Sequence, residues 1–199
     1  MIDSLAHPAI RRVVEAAAQR GVELEIRTFP ASTHTAEQAA RAVGAQLGQI
    51  VKSLVFVTRR DDGSLEPVLC LMAGHNRVDP ARLGAVIGRS DVRRASAREA
   101  NELTGFVIGG IPPFGHGRRL RVVMDPDVGR FSTVWAAAGL PNSVFPIAPA
   151  SLRLLADAEV APIAEVAPIA EVAPIADPPA IADVAAITEH GEPPIQRAS

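Results

Sequence analysis

Between His7 and Arg20 the apolar residues Ile10, Val13, Val14 and Ala17 recur at helical spacing, and Gly21 follows as a stop signal, so the pattern predicts an opening helix. Leu24–Phe29 then alternates apolar and polar residues as a strand does. Thr35-Ala36-Glu37-Gln38 carries a capping-box pattern and starts a second helix that ends on Gly44. Two apolar runs, Ile50–Arg60 and Glu66–Met72, flank the turn sequence Asp61-Asp62-Gly63 and predict an antiparallel hairpin at the centre of a sheet. Further helices are predicted at Pro80–Ile87 and Ala97–Leu103, and further strands at Phe106–Ile108 and Leu120–Met124. Helices and strands mix without strict βαβ alternation. The fold class is therefore α+β, a mixed and mainly antiparallel sheet with packed helices.

From Ala158 the pattern changes to a hexapeptide repeat, Ala-Glu-Val-Ala-Pro-Ile three times and two degenerate copies, before a polar end. A β-helix is also built from hexapeptides, but five short units carrying so much proline cannot supply its ladder hydrogen bonds or its core. With no aromatic residue and regularly spaced carboxylates, the segment is expected to be an extended, disordered tail. The domain boundary is placed near Ala156, giving a domain of residues 1–156 and a tail of residues 157–199.

Charge separates the same two parts. Residues 1–156 hold 19 basic and 14 acidic side chains, a net of +5, whereas residues 157–199 hold one and eight, a net of −7. A basic domain suits a polyanion such as RNA, although the same charge occurs in proteins that bind none. No run approaches the roughly 18 apolar residues of a membrane helix, and the N-terminus lacks the pattern of a signal peptide, so a soluble, cytoplasmic protein is expected. The single cysteine, Cys70, lies in an apolar run and reads as core. The histidines His7, His34, His75, His116 and His190 stand singly, without metal-ligand spacing, so neither a metal nor another cofactor is expected.

Two features invite chemistry. Of 20 basic residues only Lys52 is lysine, and it sits at the start of an apolar strand. An ammonium there either ends the strand with its head in water or faces a cleft that holds an anion. Thr104–Gly117 packs five glycines and the prolines Pro112 and Pro113 into fourteen residues. Such a stretch is either an ordinary turn or a stiffened loop that presents bare N–H groups to a carbonyl or carboxylate oxygen. It is neither a Walker loop nor a dinucleotide fingerprint, and no nucleophile–base pair is visible.

Thr33-His34-Thr35-Ala36-Glu37-Gln38-Ala39-Ala40, Val51-Lys52-Ser53-Leu54, Thr104 to Pro113 and Val144-Phe145-Pro146, in that order and spacing, resemble the YbaK/ProX family of aminoacyl-tRNA editing domains over about residues 5–156. The resemblance implies a deacylase that hydrolyses the ester between a wrong, small amino acid and the tRNA 3′ ribose. It implies that Lys52 serves the terminal adenosine end and that the loop Gly109, Gly110, Ile111, Pro112 and Pro113 holds the aminoacyl carbonyl. Thr33, His34, Thr35, Ser53 and His116 are the expected substrate-binding residues. The resemblance further implies that water attacks, helped by a ribose hydroxyl of the tRNA, with loop amides stabilising the oxyanion. The expected partners are the 3′ aminoacyl-adenosine end of mischarged tRNA and an aminoacyl-tRNA synthetase, with no membrane. Editing is needed because a missing methylene discriminates by only about 10–200-fold. The alternative readings are a non-catalytic binder of aminoacyl-tRNA or a nucleotide, and an interaction module working through its tail.

Overall fold

Helix α1 (Pro8–Ala18) begins with proline at its first position and with His7 as cap, whose Nδ1 accepts the Ala9 N–H at 3.1 Å. It buries Ile10, Val13 and Ala17, the stripe its spacing anticipates. The computed structural model describes residues 7–30 and 35–165. Helix α2 (Ala36–Val43) is started by the reciprocal capping box, with both Thr35–Gln38 hydrogen bonds at 3.2 Å. Helix α3 (Pro80–Ile87) is capped by Asp79, α4 (Ala97–Thr104) by a Ser96–Glu99 box, and α5 (Pro149–Ala156) starts at a proline.

The strands are β1 (Arg27–Thr28), β2 (Ile50–Arg59), β3 (Leu65–Ala73), β4 (Arg93–Arg94), β5 (Arg121–Met124), β6 (Val134–Ala137), β7 (Ser143–Ile147) and β8 (Glu159–Val160). They form one sheet in the order β1-β7-β6-β2-β3-β5-β8, with β4 also pairing β2. The β2–β3 hairpin lies at its centre, as the turn sequence predicts, in antiparallel register from Val51↔Ala73 to Arg59↔Leu65. Pairs β1–β7, β2–β4 and β6–β7 are also antiparallel, and β2–β6, β3–β5 and β5–β8 are parallel. The sheet is mixed and mainly antiparallel, and the class is α+β.

Strand alternation sends the two faces of β2 to different cores. Val51, Val55 and Val57 join Leu69, Leu71 and Phe145 against α1, α4 and α5. On the opposite face Phe56 and Leu54 join Val68, Cys70, Met72 and Leu83 of α3, while Ile50 joins Trp135, Val144 and Ala39 and Ala40 of α2. Cys70 is core, and burial pushes its thiol pKa up. Lys52 falls between Ile50 and Leu54, at the seam between the α2 and α3 clusters.

Three expectations change. Phe106–Ile108 is not a strand. The Thr104 hydroxyl accepts the Phe106 N–H, Gly110 N–H donates to the Val107 carbonyl, and Val107 and Ile108 stand 48% and 49% exposed, so the triplet closes into a turn. Of Leu24–Phe29 only Arg27 and Thr28 pair with another strand, while Leu24 and Ile26 pack on the main core. The domain also runs past Ala156 to Glu165. Strand β8 extends the sheet beyond β5, Ile163 is fully buried, and buried Asp125 accepts the Ile163 and Ala164 N–H groups at 3.1 and 3.0 Å. The first hexapeptide is thus part of the fold, because its alternate Ala161 and Ile163 complete the α3-side core. Residues 166–199, Thr33 and His34 lie outside the described residues. No helix among the described residues is long and apolar enough to cross a membrane.

Candidate active site

The site is a gap in the sheet. On its outer edge β2 pairs with β6 only at Ile50 and Val51, and with β4 only at Phe56 and Val57. Between these two ladders the edge of β2 has no strand partner among the described residues. Val55 points its carbonyl to this edge, where it accepts the Ala95 N–H at 2.9 Å. Alternation then turns the N–H and C=O of Ser53 to the same edge, into the gap. The Ser53 hydroxyl is buried and has no hydrogen-bond partner among the described residues.

A pocket of about 320 Å3 opens at this gap. Its apolar walls are Ile50, Val51, Leu54, Ile111, Trp135, Ala137 and Val144, and its polar rim is Thr35, Glu37, Lys52, Ser53 and Arg94. Helix α2 brings Thr35 and Glu37 to it through the capping box, which fixes where the first turn begins. Strand β4 places Arg94 directly across from Phe56, hence on the Lys52 face of β2.

Lys52 is half-buried, and its Nζ donates to the Asn76 backbone carbonyl. Asn76 is itself held, its Nδ2 donating to Asp127 Oδ2 at 2.8 Å. Burial draws the Lys52 pKa below the usual lysine range. The Glu37 carboxylate opposes that shift, while the Arg94 and Arg77 cations add to it. Glu37 in turn is held below the usual carboxylate range by its own backbone N–H and by the Thr35 hydroxyl, with Lys52 contributing.

Of the residues expected from the sequence, the structure brings Thr35, Lys52, Ser53, Gly109 and Ile111 to this pocket. Gly109 adopts φ +88°, a backbone that favours glycine. Gly110 does not line it. Its N–H is taken by the Val107 carbonyl, and a Cβ there would lie 2.8 Å from the Leu140 carbonyl carbon, so this glycine serves close backbone packing. Pro112 is buried, and Pro113 and His116 face a different cleft, with Arg20, Arg118, Arg119 and Leu155. His116 packs edge-on to Phe106 at 5.5 Å, and burial pushes its pKa down to about 4, partly offset by the Thr104 and Pro112 backbone. The Arg12 guanidinium lies 4.2 Å from the Phe106 ring centroid and donates to the Gly105 carbonyl at 2.9 Å, tying the loop to α1. Glu37, Arg94 and Trp135 went unnoticed in the sequence. Glu37 lay within a recognised motif, but the other two carry no local signal.

Chemically, the pocket offers apolar walls, a strand edge open among the described residues, a glycine-bearing loop and an ammonium at the mouth. Among the described residues no thiol or histidine lines it. The class defined by fold and site is a hydrolase of the aminoacyl-tRNA deacylase type. Residues 30–155 match the family model described as aminoacyl-tRNA editing domain, and the chain belongs to this family. It is 35% identical over 130 residues to YwhH of Bacillus subtilis (strain 168), an uncharacterized protein, across 65% of this chain and 80% of that one. It is 33% identical over 116 residues to the multifunctional Ser/Thr-tRNA deacylase ProXp-y of Escherichia coli (strain K12), across 58% of this chain and 68% of that one. The crystal structure of "a putative trans-editing enzyme for prolyl tRNA synthetase" superposes with a TM-score of 0.72 at 43% identity, covering 80% of this chain and 99% of the other.

Proposed function

We infer that the protein is a trans-editing enzyme that clears a small, wrongly attached amino acid from the 3′ end of tRNA. The observation that carries this reading is the meeting of the only lysine, the unpaired β2 edge at Ser53 and the loop residues Gly109 and Ile111 around one 320 Å3 pocket. The amino acid side chain enters among Ile50, Ala137, Val144 and Trp135, where short walls admit alanine- to threonine-sized groups. Its α-ammonium lies toward Glu37 and the Ser53 carbonyl, and the Lys52 ammonium engages the terminal adenosine end.

Water attacks the ester carbonyl carbon, positioned by a ribose hydroxyl of the substrate. The Gly109 and Ile111 N–H groups receive the oxyanion; removing one such donor in other hydrolases costs on the order of a hundredfold in turnover. The carbon–oxygen bond to the ribose then breaks, and the water proton passes to the ribose oxygen, releasing free amino acid and intact tRNA. The names of ProXp-y and of the trans-editing structure support tRNA as substrate and a synthetase as the upstream enzyme.

The test is a panel of tRNAs mischarged with alanine, serine, threonine or cysteine, scored for released amino acid. Release from at least one, abolished in a folded Lys52→Ala variant, is the expected result. No release from any member by the folded wild type would leave the non-catalytic binder as the reading.

A further inference from the structure

Beyond Lys52 the pocket continues into a second cleft of about 440 Å3, lined by Lys52, Leu54, Phe56, Arg77, Val78, Pro80, Arg94 and Glu165. The two share Lys52, Leu54 and Arg94. Their linings differ sharply, since the second presents three cations against one carboxylate. Arg94 reaches it from β4, and Arg77 from the β3–α3 connection, directly after the residue whose carbonyl holds Lys52.

Neither Arg77 nor Arg94 makes an ion pair among the described residues, whereas nine other arginines do. What sets these two apart is their place, since both line the cleft that Lys52 enters, where the three cations meet the single carboxylate of Glu165. Their mutual repulsion is part of what draws the Lys52 pKa down. Such a cluster is complementary to an anion with several oxygens spread over a few ångströms.

We propose that this second cleft is a phosphodiester subsite, in which Arg77 and Arg94 bind the phosphate linking the last two nucleotides of the substrate. It rests on the editing reading for the identity of the polymer, and it adds residues and a chemical class which that reading leaves open. With the aminoacyl group in the first pocket, Lys52 stands between ester and phosphate and the backbone leaves over Arg77 and Arg94. Glu165 is the built-in opponent. Its N–H donates to the Arg77 carbonyl at 2.9 Å, which sets its carboxylate at the edge of the cleft, where it competes with the phosphate.

The signs of the effects are therefore opposite. Binding is read from the fluorescence of Trp135, the only tryptophan, which lines the adjoining pocket. The full-length protein is titrated at low salt with adenosine and with the dinucleotide cytidylyl-3′,5′-adenosine, the two probes differing by one nucleoside and one phosphodiester. Wild type should favour the dinucleotide roughly tenfold, as a charge-assisted phosphate contact does. Arg77→Gln and Arg94→Gln should each erase most of that ratio and flatten its dependence on log salt by about 0.7 per lost contact. Glu165→Gln should raise the ratio. Both arginines are exposed and make no ion pair among the described residues, so the variants fold. Equal affinity of wild type for the two probes, no binding of the dinucleotide up to millimolar, or an unchanged ratio in both arginine variants would overturn the subsite. Hydrolysis of the mischarged panel would stand in each case; conversely, an inactive panel beside a large dinucleotide preference would sink the enzymatic reading and keep the subsite.

Discussion

Replacing Gly110 with alanine separates a packing role from a catalytic one. The added Cβ would lie 2.8 Å from the Leu140 carbonyl carbon, 2.9 Å from its Cα and 3.0 Å from the Gly139 carbonyl oxygen. That backbone cannot step aside. Ala138 N–H is bonded to the Ser143 carbonyl at 2.8 Å, Ser143 N–H to the Leu140 carbonyl at 3.2 Å, and Gly139 is itself pressed on Ala9, whose carbonyl oxygen would lie 2.7 Å from a Cβ there. Overpacking of this kind costs about 1–3 kcal/mol. In a folded unit of this size each kcal/mol lowers Tm by roughly 2–4 °C, so a fall of about 4–8 °C is expected for the middle of that range. Gly117→Ala, in the same loop with nothing within 4 Å and no left-handed backbone, is the control and should stay within about 0.5 kcal/mol of wild type. Thermal melting of the three proteins reads the difference, and single-turnover hydrolysis of the best mischarged tRNA reads the displacement of Gly109 and Ile111 on either side. A Gly110→Ala protein that melts with wild type would refute the packing argument, and the loop would have to be free to move.

Lys52→Ala should keep the melting temperature within a few degrees yet lose at least about a hundredfold in single-turnover rate, and Lys52→Arg should rescue only in part, since a planar fork does not replace a point charge; full activity in either removes Lys52 from the site. His116 has a folded pKa of about 4 against 6.5 for an unrestrained ring, so the unfolded chain takes up the proton first: its contribution is complete above about pH 6.5, falls as pH drops toward 4, and amounts to at most about 3 kcal/mol. Urea midpoints from pH 7.5 to 4.5 should therefore fall more steeply in wild type than in His116→Phe, and parallel curves would contradict this. A chain ending at Ala156 should melt well below one ending at Glu165, because it loses the fully buried Ile163 and the partners of Asp125; removal of an isoleucine side chain alone costs about 2–5 kcal/mol. Equal melting of the two truncations would show that the segment only rests on the domain.

Much of the architecture was legible in the sequence because it is written by near neighbours. The capping box at Thr35, the helical spacing of Ile10, Val13 and Ala17 and the Asp-Asp-Gly turn act within a few residues, and the helices over Pro8–Ala18 and Ala36–Val43 and the central hairpin appear where those signals place them. Lys52 was conspicuous as the only lysine in an apolar strand, and the order of motifs around it was enough to indicate an editing domain. What the tertiary structure alone decided is where distant segments meet. The gap at Ser53 exists because β6 leaves β2 after Val51 and β4 joins only at Phe56, a matter of strand pairing that no local pattern encodes. Arg94 and Trp135 reach the pocket through the same strand pairings. Gly110 looked like a bare amide for a substrate and is a contact for the β6–β7 turn, and the first hexapeptide looked like tail and is core. In each case the residue type was informative, but its role depended on a neighbour far along the chain, brought close only when the sheet had formed.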